Sequence, residues 1–169
     1  MDGYPTVFRS WGCLVKRHHL VLGLISALTL TVGGAVPGAS AARAHSGTQH
    51  FLVVQTSEAG SPPVIATGPI HAAGTDIQVN DNLDRFVFPK GALRIRHEAK
   101  ASHESFDPKT CLGTFTERGV YKVTAGTGKY SHVTGHGRYR VQGFFIGCTE
   151  NDPSNVLSVT IRAHGPLSY

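Results

Sequence analysis

The chain has 169 residues and carries 16 Lys and Arg against 11 Asp and Glu, a formal net charge of +5. Its basic residues form no run and no stripe interleaved with aromatics, which argues against a nucleic-acid partner; mild basicity of this kind serves solubility or a weak, salt-sensitive attraction to acidic polymers. No repeat or low-complexity block interrupts it.

The first 41 residues read as a secretory signal. Arg9, Lys16 and Arg17 precede an apolar run at 20–36, and Pro37 with Ala39-Ser40-Ala41 supplies a helix breaker and a small-residue cleavage site. The run is shorter than the roughly 20 residues a spanning helix needs, so an uncleaved membrane anchor is the weaker reading. Cleavage after Ala41 leaves 128 residues with 13 basic and 10 acidic side chains, net +3, a length suited to one domain with one core; Ala42 and Ala44 are alternative cleavage points. The product is expected to be secreted, with residues 42–48 as a flexible polar leader to a domain at 49–169.

Eight short runs follow, at 49–56, 64–72, 83–88, 92–100, 112–117, 120–124, 138–145 and 156–163. They place apolar residues at every second position, are rich in β-branched and aromatic side chains, and mostly end at glycine or proline. Helix periodicity is almost absent. The predicted fold class is all-β, a single closed or nearly closed antiparallel eight-stranded barrel, because closure removes exposed edges and eight strands enclose room for side chains or one small ligand. The stretch 126–139 is the predicted corner: Gly126, Gly128, Gly135 and Gly137 permit sharp turns around Tyr130 between two neighbouring antiparallel strands. Cys111 and Cys148 survive cleavage, and an oxidising compartment predicts one disulfide, worth about 4 kcal/mol for a loop of roughly 36 residues.

Strand parity says what lines the inside. On the run at 92–100, Arg94, Arg96, Glu98 and Lys100 share one face, which leaves Leu93, Ile95 and His97 on the other. The same counting groups Asp84 with Phe86 and Phe88, Phe115 with Glu117, Tyr121 with Val123, and Tyr139 with Val141 and Phe145. Five polar groups therefore face inward: Asp84, His97, Glu117, Tyr121 and Tyr139. Among phenylalanines they form a candidate ligand site (Asp84, Phe86, Phe88, His97, Phe115, Tyr121, Tyr139), with His97, Glu117, Tyr121 and Tyr139 as candidate catalytic groups, since burial raises a carboxylate pKa and lowers that of a histidine, which is how such groups become useful near neutral pH. The alternative is that the carboxylates lie in water at strand ends and His97 is hydrogen-bonded filling.

No metal or cofactor is expected. His132 and His136 are four apart, but a glycine-interrupted corner puts them on no common helical face; a copper chelate at Arg43-Ala44-His45 requires cleavage after Ala42. The chain has no GxSxG elbow, no HExxH, no phosphate-binding loop opening a helix and no dinucleotide fingerprint.

The run VTAGTGKYSHVTGHGRYRV, 123–141, resembles the late glycine-rich turn of the allene oxide cyclase and dirigent barrels, with Gly126, Gly128 and Tyr130 on the matching positions. The resemblance extends loosely over 64–169. It implies a barrel with a few polar residues in an apolar cavity, association as a homotrimer, and a small hydrophobic or phenolic ligand. Catalytic residues do not carry over, because the early and middle strands do not match. Three functions stay open: a secreted binding module, a cyclase or isomerase acting in the same cavity, and a structural or envelope-associated protein with a filled core. The balance of these leans away from an enzyme.

Overall fold

The computed structural model describes residues 45–56, 60–148 and 156–169; the secretory segment and cleavage site expected from the sequence lie outside the described residues. The strands are β1 Ser46–Gln55, β2 Pro63–Thr67, β3 Ala72–Asn80, β4 Leu83–Phe88, β5 Gly91–Asp107, β6 Leu112–Gly126, β7 Thr134–Ile146 and β8 Val156–Ser168. They form a closed antiparallel meander. Seven ladders join neighbours in sequence, and the eighth zips β1 to β8 over ten residue pairs, from Ser46 opposite Ser168 to Gln55 opposite Val159. No helix among the described residues is long and apolar enough to cross a membrane.

Eight strands match the number read from periodicity, but they are not the same eight. The runs at 112–117 and 120–124 are one strand, β6, which passes through Gly119 without a break. The run at 64–72 stops at Thr67, where Gly68 takes φ +133 and the chain turns through residues 68–71 into β3. Strand β3 has no apolar inner face: Ala72, Gly74 and Asp76 point in, whereas Val79 is 50% exposed. β5 continues to Asp107 rather than ending at Lys100, because a bulge at Ala99/Ala101 resets the pleat and lets the ladder with β6 run on. β1 begins at Ser46, so the end of the expected leader is paired with β8.

Only half of the glycine stretch is a corner. Gly128, at φ +58, opens a single 3₁₀ turn, Gly128–Tyr130, and Gly126 lets the carbonyl of Tyr130 approach to 1.9 Å from where a Cβ would stand. Gly135 and Gly137 are not turn residues. They lie inside β7, opposite Val123 and Tyr121. Their neighbours show why glycine is there. On the inward face of the β6–β7 ladder, Phe145 lies over Gly113, Phe115 over Gly143, Tyr139 over Gly119 and Tyr121 over Gly137. A Cβ on any of the four glycines would come within 2.1–2.7 Å of the opposing ring. Each ring thus rests on bare backbone and covers a stretch that would otherwise be open to water.

One end of the barrel is packed shut. Phe51, Val53, Val64, Ala66, Phe86, Phe88, Leu93, Ile95 and Val123 fill the lumen above a floor of Ile70, Tyr130, Val133 and Leu167. Gln49, wholly buried, holds the β2–β3 turn in that floor: its Nε2 donates to the carbonyls of Thr67 and Ile70 at 3.0 and 3.1 Å, and its Oε1 accepts from the Ile70 amide at 2.8 Å. At the other end β5, β6 and β7 extend beyond the shorter β2 and β4, with residues 98–107 exposed throughout. The Cys111–Cys148 disulfide, with Cα atoms 4.8 Å apart, ties the β5–β6 turn to the end of β7.

The ring-on-glycine packing makes a quantitative expectation. Gly143→Ala pushes a methyl into the Phe115 ring and should lower unfolding free energy by about 1–3 kcal/mol in urea titration. In a Phe115→Ala background the same change should cost less than about 0.5 kcal/mol, so the double-mutant cycle should show strong coupling.

Candidate functional site

Register assembles the polar layer strand by strand. Asp76 on β3 lies opposite Phe86, Asp84 on β4 opposite Ile95, His97 on β5 opposite Tyr121 of β6, and Gly119 opposite Tyr139 of β7. Five adjacent strands thus each send one polar group, or two, into the same level of the lumen, just above the apolar filling. His97 Nε2 lies 3.3 Å from Asp84 Oδ2, with the two side chains 25% and 19% exposed. The Tyr139 hydroxyl donates to Glu117 Oε1 at 2.6 Å, and its ring meets His97 edge-on at 5.8 Å.

Two polar atoms in this layer are buried with no hydrogen-bond partner among the described residues, Asp76 Oδ1 and the Tyr121 hydroxyl. Their residues are 7% and 5% exposed. An unsatisfied buried group of this kind costs about 1–3 kcal/mol, so it calls for an explanation. Burial raises the Asp76 carboxyl to about 7, with repulsion from Asp84 adding to it and His97 opposing it. Burial also raises the Tyr121 phenol to about 12, which keeps it a neutral donor. His97 is raised by its hydrogen bond to Asp84 against an opposing desolvation effect, and Tyr139 is raised by burial and by its bond to Glu117. The layer therefore offers a histidine–carboxylate pair, a carboxyl that changes charge near neutrality, and a phenol free to donate.

All five polar residues inferred from parity face the lumen together. Phe86 underlies them, with Phe51 against its ring at 5.3 Å. Phe115 and Phe145 are half-buried on the extended part of the sheet, where Phe106 stacks on Phe145 at 6.0 Å. Phe88 is not brought to the site; its ring packs on Tyr130 at the floor, 6.2 Å away. The residue that parity missed is Asp76, because β3 inverts the usual pattern, with Ile77 and Val79 outside and acid inside. Among the described residues no group of three His, Cys, Asp or Glu is arranged to hold a metal. No family model matches the chain, and neither curated proteins nor solved structures yield a match.

The charges predict a pH dependence whose sign is fixed. Asp76 holds its proton in the folded state up to about 7 but loses it near 3.8 when unfolded, so between those values the folded state binds more protons and stability falls as pH rises. The whole step is at most about 4 kcal/mol. His97, raised when folded, stabilises below its ordinary range and loses that contribution as pH rises through its folded pKa, which has the same sign. Melting temperature should therefore be higher at pH 5 than at pH 8, and Asp76→Asn should flatten the profile by raising the alkaline end.

Proposed function

We propose that this chain is a binding protein that takes one small apolar molecule carrying a hydroxyl or carbonyl oxygen at the partly open end of its barrel. The observation that carries the reading is the pair of unpartnered buried atoms, Asp76 Oδ1 and the Tyr121 hydroxyl. A ligand oxygen that accepts from Tyr121, or donates to or accepts from Asp76, would supply the missing bonds. The half-buried rings of Phe115 and Phe145 supply an apolar wall above that level, as small-molecule sites pair broad apolar contact with a few polar anchors. The packed lumen below limits the ligand to the upper half of the barrel.

Catalysis in the same place is the second reading, favoured by the His97–Asp84 pair at 3.3 Å. A carboxylate that orients an imidazole next to a neutral phenol is equipped for proton transfer to and from a bound carbonyl compound, the chemistry of an isomerase or cyclase. Export supports both readings: the disulfide suits an oxidising compartment, and the N-terminal segment has the form of a secretory signal. Kinship with the allene oxide cyclase and dirigent barrels is part of the same proposal.

Thermal shift and calorimetry with a panel of apolar phenols and ketones test the first reading. Tyr121→Phe, which removes the unpartnered hydroxyl, should leave the free protein as stable or more so, and should weaken binding about tenfold or more. If no compound shifts the melting temperature, or Tyr121→Phe leaves affinity unchanged, the binding reading fails. Turnover that is lost in His97→Gln, with binding retained, would establish the second.

A further inference from the structure

The outward face of β6, β7, β8 and β1 carries a charge arrangement that the linear order of residues hides. Arg118 lies opposite Arg140, and Arg140 opposite Arg162, so three arginines stand in one row across three adjacent strands. The next row sets Arg138 opposite His164 and His164 opposite His50, whose rings stack at 6.2 Å. Beyond it, Lys122 lies opposite His136. All eight side chains are exposed. The one acidic residue on β6, β7 and β8, Glu117, bonds Tyr139 on the inner side. Among the described residues none of these five arginines and lysines makes an ion pair; the pairs formed are His97–Asp84 and Lys100–Glu98.

Like charges directly opposite one another destabilise a sheet. Strands about 4.8 Å apart hold the three guanidinium stems in a regular array in which, among the described residues, none is neutralised by an ion pair. The neighbouring row is Thr116, Gln142 and Thr160, again opposite one another, all neutral hydrogen-bonding groups. Two shallow grooves border these rows. One, of about 320 Å³, is lined in part by Thr116, Arg118, Arg140 and Gln142; the other, of about 430 Å³, by Arg162, His164 and His50.

We propose that this face binds a linear anionic polysaccharide, lying across β6–β8 with its carboxylate or sulfate groups on Arg118, Arg140 and Arg162 and its hydroxyls on Thr116, Gln142 and Thr160. Planar guanidinium forks match such oxyanions, and a row of amide and hydroxyl side chains beside them matches sugar hydroxyls. A nucleic acid fits less well, because the row of arginines and the row of Thr116, Gln142 and Thr160 contain no aromatic ring on which a base could stack, and the imidazoles of His50 and His164 in the next row stack on each other. A lipid surface fits less well too. The apolar side chains exposed among these rows are Val120 opposite Arg138, Val54 opposite Thr160 and Ile65 two strands from Arg162, aliphatics interspersed with polar groups; the aromatic Phe144, which could anchor an interface, stands four residues along β7 from Arg140, about 13 Å away, against headgroup layers of about 6 Å. The proposal is independent of the interior site.

Affinity of the full chain for a labelled heparin oligosaccharide, measured over a range of salt, tests it, with single-stranded DNA and phosphatidylglycerol vesicles as parallel probes. Arg118→Gln/Arg140→Gln/Arg162→Gln should weaken heparin binding about tenfold or more and make the slope of log K against log salt shallower by about 2. Its melting temperature should be unchanged or higher, since like-charge contacts are relieved. Arg85→Gln/Lys90→Gln/Lys109→Gln removes the same charge elsewhere and should cost less than about threefold. Equal losses in the two triple variants overturn the proposal. So does tighter binding of DNA or vesicles than of heparin through the same arginines.

Discussion

The contact on which the rest of the structure depends is that of an aromatic ring lying on bare glycine backbone along the β6–β7 ladder. A side chain at the facing position would lift each ring off the sheet and into the lumen. With glycine there, Tyr139 leans across β6 far enough to meet His97 on β5, while Tyr121 leans the other way, across β7, and its ring meets Phe51 of β1 edge-on at 6.2 Å. Two phenols that begin on adjacent strands are thereby sent to opposite sides of the barrel. The polar layer is spread around the lumen instead of being collected at one wall, and the missing Cβ atoms leave the sheet room to curve there.

A second consequence of closure is a division of charge. Asp76, Asp84 and Glu117 are turned inward, where they meet His97 and Tyr139. The outward positions of β6–β8 keep only cations and neutral groups. Net charge counted from composition averages over the two surfaces and so understates both. The lumen is acidic at its polar level, and the opposite side of the same strands is basic. Alternation of side chains by strand parity is enough to produce this, with no clustering in the linear order.

Much of the architecture was legible from period-two alternation, and so was the inward set Asp84, His97, Glu117, Tyr121 and Tyr139, because side chains alternate without interruption through β4, the first part of β5, most of β6 and all of β7. What escaped did so for physical reasons. Gly119 looked like a break between two strands, since the ring of Tyr139 that covers it comes from elsewhere in the chain. Residues 73–80 fell outside the predicted runs because the inner positions of β3 are alanine, glycine and aspartate, and with that strand Asp76 was lost from the site. Topology held a corrective. An antiparallel meander closes only with an even number of strands, so merging two runs into β6 obliges another strand to exist among the unassigned segments, of which 73–82 is one. Gly135 and Gly137 were read as turn formers because sequence shows that a Cβ is missing but not what occupies its place. The arginine row was invisible for a related reason: Arg118, Arg140 and Arg162 are 22 residues apart each time and meet only through register.

The seam between β1 and β8 has its own implication for how the chain reaches this state. Every other ladder joins strands that follow one another, so each can form as a hairpin once its two halves exist, with little chain entropy to overcome. The seam brings together residues more than a hundred positions apart, and loop closure over that distance is slow and unrewarded until the register is found. Until it zips, β1 and β8 present bare edges ready to pair with another molecule. The interval between synthesis and closure of that one ladder is therefore the time when this protein is exposed to aggregation, and concentration during refolding, more than temperature, should govern its yield.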